Sequence, residues 1–76
     1  MYLNNIKKNR YYIVDKINLH EKTKRRLYDI GLVAGTKIKL LFYSPSKKIK
    51  AYLIRDSIIA IRNSDASKIE VKKFND

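Results

Sequence analysis

The sequence predicts a mainly β fold: a small barrel of five short strands, with one helix inserted between the first strand and the second. Three observations support this fold class. The chain has 76 residues, a length that suits one small domain. Five short runs of β-branched, aromatic or alternating apolar residues are separated by turn signals. One amphipathic segment follows the first run. Five short strands favour a small barrel, which hides strand edges.

The first strand is predicted from Tyr11 to Ile17, a segment rich in β-branched and aromatic residues. We expect Tyr12, Val14 and Ile17 to share the inward-facing positions. Lys8-Asn9 precedes this strand and is predicted to form a turn, because asparagine tolerates the left-handed backbone conformation.

The helix is predicted over the following segment, about three turns long. Asn18 is the expected N-cap, and Glu21 lies three residues later, the spacing of a capping box. Intervals of four, four and three residues indicate one apolar stripe along the helix. The residues of this stripe are Leu19, Thr23, Leu27 and Ile30.

The two glycines of the chain lie four residues apart, after the helix. Gly31 follows the last residue of the stripe, where a helix commonly ends in a left-handed residue. This assignment makes Leu32 and Leu27 the apolar pair of a Schellman motif. Gly35 suits the third position of a type II turn over residues 33–36, where φ must be positive. One glycine therefore ends the helix, and the other turns the chain into the next strand.

The second and third strands are predicted from Lys37 to Tyr43 and from Lys48 to Ile54, joined by a turn at Pro45. Their alternation places lysines on the solvent-facing side. The expected inward residues are Ile38, Leu40, Phe42, Ile49, Ala51 and Leu53.

The last part of the chain is predicted to contain two more strands. Arg55-Asp56 is a tight connection to a strand over Ser57 to Arg62, with Ile59 and Ile61 inward. The following NSDASK segment is typical of a single helical turn, with Ser64 or Asp65 as its cap. Ile69 to Val71 completes the five strands.

Residue types that carry chemistry are sparse. The chain has no cysteine and one histidine, His20, which excludes disulfides and a Cys/His zinc site within one chain. The carboxylates are scattered singly among cations, and no phosphate-binding glycine loop is present. We therefore expect no enzyme activity, no catalytic residue, no metal site and no cofactor.

The formal net charge is +11, from 18 basic and 7 acidic residues. Such an excess suits nucleic acid or an anionic membrane surface. Base stacking would use Tyr11, Tyr43 and Tyr52, which interleave with lysines, although such tyrosines also flank barrel cores. A lysine- and isoleucine-rich composition from an AT-rich genome explains the charge equally well, and the two readings stay open.

The expected location is the cytoplasm, because the sequence shows neither a signal peptide nor an apolar run long enough to span a membrane.

A protein-contact site is predicted near the helix end. Its residues are Arg25, Arg26, Tyr28, Leu32 and Val33. Buried, the apolar members complete the core; exposed, they form an apolar patch with an arginine rim, which suits a protein partner.

The combined pattern resembles the FeoA family, with an Asp-x-Gly-Leu-x-x-Gly-Thr helix end and a late Arg-x-x-x-Ile-Ala-Ile-Arg segment. The resemblance runs from about Ile6 to Val71, and the whole chain, residues 1–76, is expected to be one domain. Ala34 and Asp56-Ser57 depart from the family's usual proline and Gly-Tyr. The matching residues are Leu27, Asp29, Gly31, Leu32, Gly35, Thr36, Arg55, Ile59, Ala60, Ile61, Arg62, Ala66, Ile69 and Val71.

The resemblance implies an SH3-like barrel that serves as a cytosolic accessory protein of ferrous iron uptake. It implies contact with the membrane transporter FeoB as the mode of action, and no iron carried by the chain itself. The alternative function is that of a basic nucleic-acid-binding barrel. An unpaired strand edge would also permit oligomers by strand addition.

Overall fold

The computed structural model describes residues 1–74 and confirms the order of elements expected from the sequence. A short 3₁₀ helix, Leu3–Asn5, precedes the first strand. The strands and helices are β1 Tyr11–Ile17, α1 Glu21–Asp29, β2 Lys37–Tyr43, β3 Ile49–Ile54, β4 Ser57–Arg62, α2 Asn63–Ala66 and β5 Ile69–Lys73. The structure is mainly β, with one helix of nine residues between the first two strands.

The five strands form one antiparallel sheet in the order β4-β3-β2-β1-β5. Short connections explain this order, since β2, β3 and β4 follow one another as hairpins, while β5 returns to pair with β1. Strands β4 and β5 are therefore the two outer strands. The N-terminal residues cover the outer side of β5, where Val71 N–H donates to the Met1 carbonyl at 2.8 Å and Tyr2 bridges to Glu70.

The core lies inside the curved sheet, and apolar side chains fill it. Its least exposed large members come from every part of the chain, which is how a small sheet gains a single core. They are Leu3, Val14, Leu32, Ile38, Tyr52, Ile54 and Ile69. The inward positions expected in β1 are confirmed, with Tyr12, Val14 and Ile17 all buried.

The inward assignments for the second hairpin are partly wrong. Ile38 and Leu40 are buried, but Phe42 is 55% exposed, because the β2–β3 pairing shifts by one residue between Leu40 and Phe42. Such a bulge reverses which later side chains face the core.

In β3 the residues expected to face the core are wrong at both ends of the strand. Ile49 is 47% exposed and Leu53 is only partly buried, whereas Tyr52 and Ile54 are fully buried. Ala51 is buried as expected. Both alternating sets of β3 are largely apolar, so the alternation alone did not distinguish the two phases.

The predicted helix caps are also wrong. Helix α1 begins at Glu21 with His20 as N-cap, and no side chain caps it. Asn18 instead joins β1 to the β5 region, because its backbone N–H donates to the Lys68 carbonyl and its amide donates to Glu70 at 3.0 Å. The single turn α2 begins after Arg62, again without a side-chain cap.

The turn assignments are confirmed. Asn9 has φ 63°, as expected for the turn before β1. Lys47 N–H donates to the Ser44 carbonyl at 2.8 Å across the turn that contains Pro45. Arg55 has φ 56° in the two-residue connection between β3 and β4. No helix among residues 1–74 has the length and apolar character needed to span a membrane.

Tyr52 lies at the centre of the core, and burial raises the pKa of its hydroxyl to about 12. Below pH 10 the hydroxyl is neutral in folded and unfolded chains alike, so its contribution to stability is complete. Between pH 10 and 12 the unfolded chain loses the proton first, and the free energy of unfolding falls.

We expect the wild-type chain to lose about 2 kcal/mol more stability between pH 10 and 12 than Tyr52→Phe does. Urea unfolding at a series of pH values measures this difference. The variant controls for the lysines, which titrate over the same range in both chains. Parallel pH profiles for the two proteins would contradict the prediction.

Candidate functional site at the helix end

The end of α1 is a complete Schellman motif, as the sequence predicted. Gly31 has φ 92°. Leu32 N–H donates to the Leu27 carbonyl at 2.8 Å, and Gly31 N–H donates to the Tyr28 carbonyl at 3.0 Å. Leu27 and Leu32 are both buried, which supplies the apolar contact that accompanies this motif. The helix end is therefore held by two backbone hydrogen bonds and by the core.

Thr36 closes the loop that follows. Its hydroxyl donates to the Gly31 carbonyl at 3.1 Å and accepts from Val33 N–H at 3.3 Å. The predicted turn around Gly35 is confirmed, with φ 91° at Gly35 and a hydrogen bond from Thr36 N–H to the Val33 carbonyl. Thr36 is itself buried. This network orders the loop between the helix and β2.

The loop is also tied to β1. Gly35 N–H donates to the Val14 carbonyl at 2.8 Å, and Val14 N–H donates to the Thr36 carbonyl at 2.9 Å. Because Val14 lies in the middle of β1, the helix end has a fixed position relative to the sheet.

Arg55 reaches the helix end from the β3–β4 connection. Its side chain lies over Gly31, where a methyl group in place of the glycine hydrogen would be 2.9 Å from Nε. The same arginine lines an open groove of about 470 Å³ with Tyr28, Ile30 and Ile59. A second groove, lined by residues 33–37, also includes Arg55. The helix end and the start of β4 thus form one continuous surface.

Four of the five residues predicted for protein contact have accessible side chains. Arg25 and Arg26 are exposed, Tyr28 is 45% exposed, and Val33 is partly buried. The prediction for Leu32 is wrong, because this side chain has no exposed area and belongs to the core. A residue at the C″ position of a Schellman motif turns back under the helix, which explains its burial.

Two residues of this region were missed or misassigned from the sequence. Ile30 was expected to face inward at the end of the apolar stripe, but it is 42% exposed, since it is the C-cap and lies past the last helical turn. Arg55 comes from a distant part of the chain, and its match to the resembling family was the only available signal. We define the helix-end surface as Arg25, Arg26, Tyr28, Ile30, Val33 and Arg55.

The electrostatic character of the helix-end surface is basic with an apolar centre. Three of its six residues are arginines, Tyr28 and Ile30 are exposed, and the exposed Asp29 lines the same groove as Tyr28, Ile30 and Arg55. The ammonium group of Lys24 lies 5.8 Å from the centre of the Tyr28 ring, within cation–π range. An apolar centre with a charged rim is typical of protein-contact surfaces.

Other candidate sites have less support. His20 is exposed at the start of α1, and within residues 1–74 no three His, Cys, Asp or Glu side chains are grouped to hold a metal ion. Tyr52 is fully buried and is unable to stack with a base. Tyr11 and Tyr43 remain exposed, with lysine ammonium groups 4.7 to 5.5 Å from their ring centres.

The fold and the helix-end surface define a small SH3-like β domain with a basic surface suited to protein contact. The family model of the FeoA domain matches residues 1–73, and the chain therefore belongs to the FeoA family, which is associated with ferrous iron transport. A search of curated protein sequences finds no match to this chain.

Solved structures of FeoA proteins share the fold. The FeoA protein of Chlorobium tepidum has a TM-score of 0.93 at 27% identity, covering 99% of this chain and 71% of its own. A FeoA-like protein of Clostridium acetobutylicum has a TM-score of 0.85 at 26% identity, covering 100% of this chain and 88% of its own.

A third neighbour is the zinc-bound FeoA of Stenotrophomonas maltophilia, with a TM-score of 0.79 at 22% identity, covering 95% of this chain and 89% of its own. That protein is described as a prokaryotic SH3 domain protein and a candidate activating factor for ferrous iron transport. At this identity the likeness shows the fold alone.

The two glycines allow a matched test of the contact between Gly31 and Arg55. We expect Gly35→Ala to cost about 1 kcal/mol of unfolding free energy, because its φ is positive but no atom lies within 4 Å of the added methyl group. Gly31→Ala should cost about 2 kcal/mol, because the methyl group must also displace Arg55. Urea unfolding of both variants measures the difference, and equal costs would show that the flexible Arg55 side chain moves aside without penalty.

Proposed function

We propose that this protein is a cytosolic accessory protein of ferrous iron uptake, which acts by contact between its helix-end surface and the cytoplasmic part of the FeoB transporter. Membership of the FeoA family supports a role in ferrous iron uptake. The single observation that supports the site is an exposed tyrosine and isoleucine among three arginines, on a helix end with little freedom to move.

The local geometry favours binding over chemistry. A general acid or base needs a partner that orients it and a substrate within reach, and the helix-end surface offers neither. Its hydrogen bonds hold the loop in one shape in the free chain, so little conformational entropy is lost on contact. The groove beside Tyr28 and Ile30 is open and accessible to a protruding side chain.

Regulation follows from binding one transporter conformation more tightly than another. A ligand shifts a conformational equilibrium only by the difference between its affinities for the two states. The proposed mechanism is therefore a change in the populations of transporter states. The arginines favour an acidic surface as the region bound, because opposite charges speed association and disfavour wrong partners.

Two tyrosines provide a matched test of the site. Tyr28 is 45% exposed at the helix end, and Tyr11 is 40% exposed on β1. We expect Tyr28→Glu to weaken capture of the cytoplasmic part of FeoB from the same organism by at least about tenfold, because it places a charge at the centre of the contact. Tyr11→Glu, which makes the same change elsewhere, should leave capture unchanged.

Surface plasmon resonance with immobilised FeoB fragment measures both affinities, and thermal unfolding confirms that each variant is folded. Equal capture by the two variants would place the contact elsewhere on the protein. Failure of the wild-type chain to bind would remove the proposed mode of action and leave the family assignment unaffected.

Nucleic-acid binding is a second candidate function, favoured by the exposed rings of Tyr11 and Tyr43 among lysines. Under the first proposal, any binding of a labelled single-stranded oligonucleotide comes from charge alone. We then expect it to weaken steeply with salt and to be unchanged in Tyr11→Ala. Fluorescence anisotropy measures both effects, and loss of binding in Tyr11→Ala at constant salt would instead support base stacking.

A further inference from the structure

The outer strand β4 has a free hydrogen-bonding edge. Asn63 N–H donates to the Lys48 carbonyl, which fixes the phase of the β3–β4 ladder. Residues alternate along an antiparallel strand between those bonded to the neighbour and those facing away. By this alternation, the backbone groups of Ile58, Ala60 and Arg62 face away from β3.

Nothing within residues 1–74 covers this edge. No backbone hydrogen bond outside the regular ladders involves Ile58, Ala60 or Arg62, and all three side chains are exposed, Ile58 at 62%. The outer strand on the other side of the sheet differs, because Met1 and Tyr2 pair with β5. An uncovered edge strand is a template for an added strand.

The sheet face beside this edge is mainly apolar, with Arg62 opposite Ile49 and Lys39 opposite Leu53. Opposite residues on β3 and β4 pair Leu53 with Ile58 and Ala51 with Ala60. Phe42 on β2 lies opposite Ala51 and is 55% exposed, and Ile49 is 47% exposed. Side chains of an added strand would meet this face, so binding would bury apolar area as well as form backbone hydrogen bonds.

The charge at the C-terminal end of β4 indicates what kind of segment fits. An open groove of about 590 Å³ there includes three cations, Lys47, Lys48 and Arg62, and no carboxylate of residues 1–74 lines it. Asn63 lines the same groove, and its buried Oδ1 has no hydrogen-bond partner among the described residues. Acidic side chains and backbone N–H groups complement such a groove.

We propose that the β4 edge binds an extended, acidic segment of a protein partner by strand addition, with the acidic end of that segment over the Lys47, Lys48 and Arg62 groove. This inference rests on the proposed function in one respect, that the partner is a protein. The edge adjoins the helix-end surface, because Ser57 and Ile59 of β4 line the groove that contains Tyr28 and Arg55. One partner would therefore be able to contact both surfaces.

A second copy of the chain fits the edge less well. Each copy carries a formal charge of +11, so two copies paired edge to edge at β4 would place two strongly basic molecules side by side. Like charges at short range oppose such pairing, whereas an acidic segment gains from the same field. Six residues, Ser57–Arg62, span about 20 Å at the usual rise of a strand, which sets the length of the segment.

The test uses two synthetic octapeptides, in which two glutamates precede or follow six alternating valines and threonines. Control peptides have lysines in place of the glutamates. We expect at least one glutamate peptide to bind with chemical-shift changes centred on residues 57–62, and about tenfold more tightly than its lysine control. Two-dimensional NMR titration of the isotopically labelled chain measures both.

Two substitutions at one position separate backbone pairing from side-chain contact. Ala60→Pro removes the outward N–H from an edge strand, where proline is tolerated, and should weaken glutamate-peptide binding about tenfold. Ala60→Val keeps the N–H and should bind as the wild type does. If Ala60→Pro fails to fold, Lys48→Glu replaces it and should remove the preference for glutamate over lysine.

Several results would overturn the inference. They are the absence of saturable peptide binding, undiminished binding by Ala60→Pro, and an unchanged glutamate preference in Lys48→Glu. Dimerisation of the wild-type chain that disappears in Ala60→Pro, measured by sedimentation, would make a second copy the occupant and overturn it as well. The assay contains no transporter, so its failure is distinct from failure of FeoB capture at the helix end.

Discussion

The left-handed backbone conformation of Gly31 reverses the chain direction and places Leu32 in the core beneath the helix. The rest of the structure depends on this change of direction. Leu32 fills the core below Leu27, while Thr36 bonds across the loop to the Gly31 carbonyl. The same loop pairs with Val14 of β1. Sheet, helix and loop therefore share one junction, and a chain without disulfides keeps α1 in place through apolar burial and a few buried hydrogen bonds.

Local sequence signals were sufficient for the elements and for the helix end, but not for the faces of the hairpin strands. Gly31 and Gly35 specify backbone conformations that other residues adopt at a cost, so their roles follow from the sequence. In β3 both alternating sets are apolar, and the bulge between Leu40 and Phe42 carries no glycine to mark it. Which set faces the core is decided by packing against the rest of the sheet, and this is not encoded locally.

The candidate site was predictable only where it is continuous in sequence. Arg25, Arg26 and Tyr28 lie on one helix, and their charge and aromatic character are visible in the sequence. Arg55 comes from the β3–β4 connection and lies over Gly31, which is 24 positions earlier in the chain. This contact depends on the tertiary fold and has no local signal. Leu32 shows a different limit: the sequence left it open between a core position and a surface contact, and the structure shows that it is buried.

The unequal edges of the sheet limit how the molecule assembles. Growth of a β-sheet into a fibre requires each added chain to offer a fresh edge to the next. Among the described residues, Met1 and Tyr2 pair with the outer side of β5, and the outer edge of β4 is left unpaired. Once the β4 edge is paired, no further strand is able to add. The fold therefore tolerates an apolar outer strand at high concentration without the aggregation that two uncovered edges would cause.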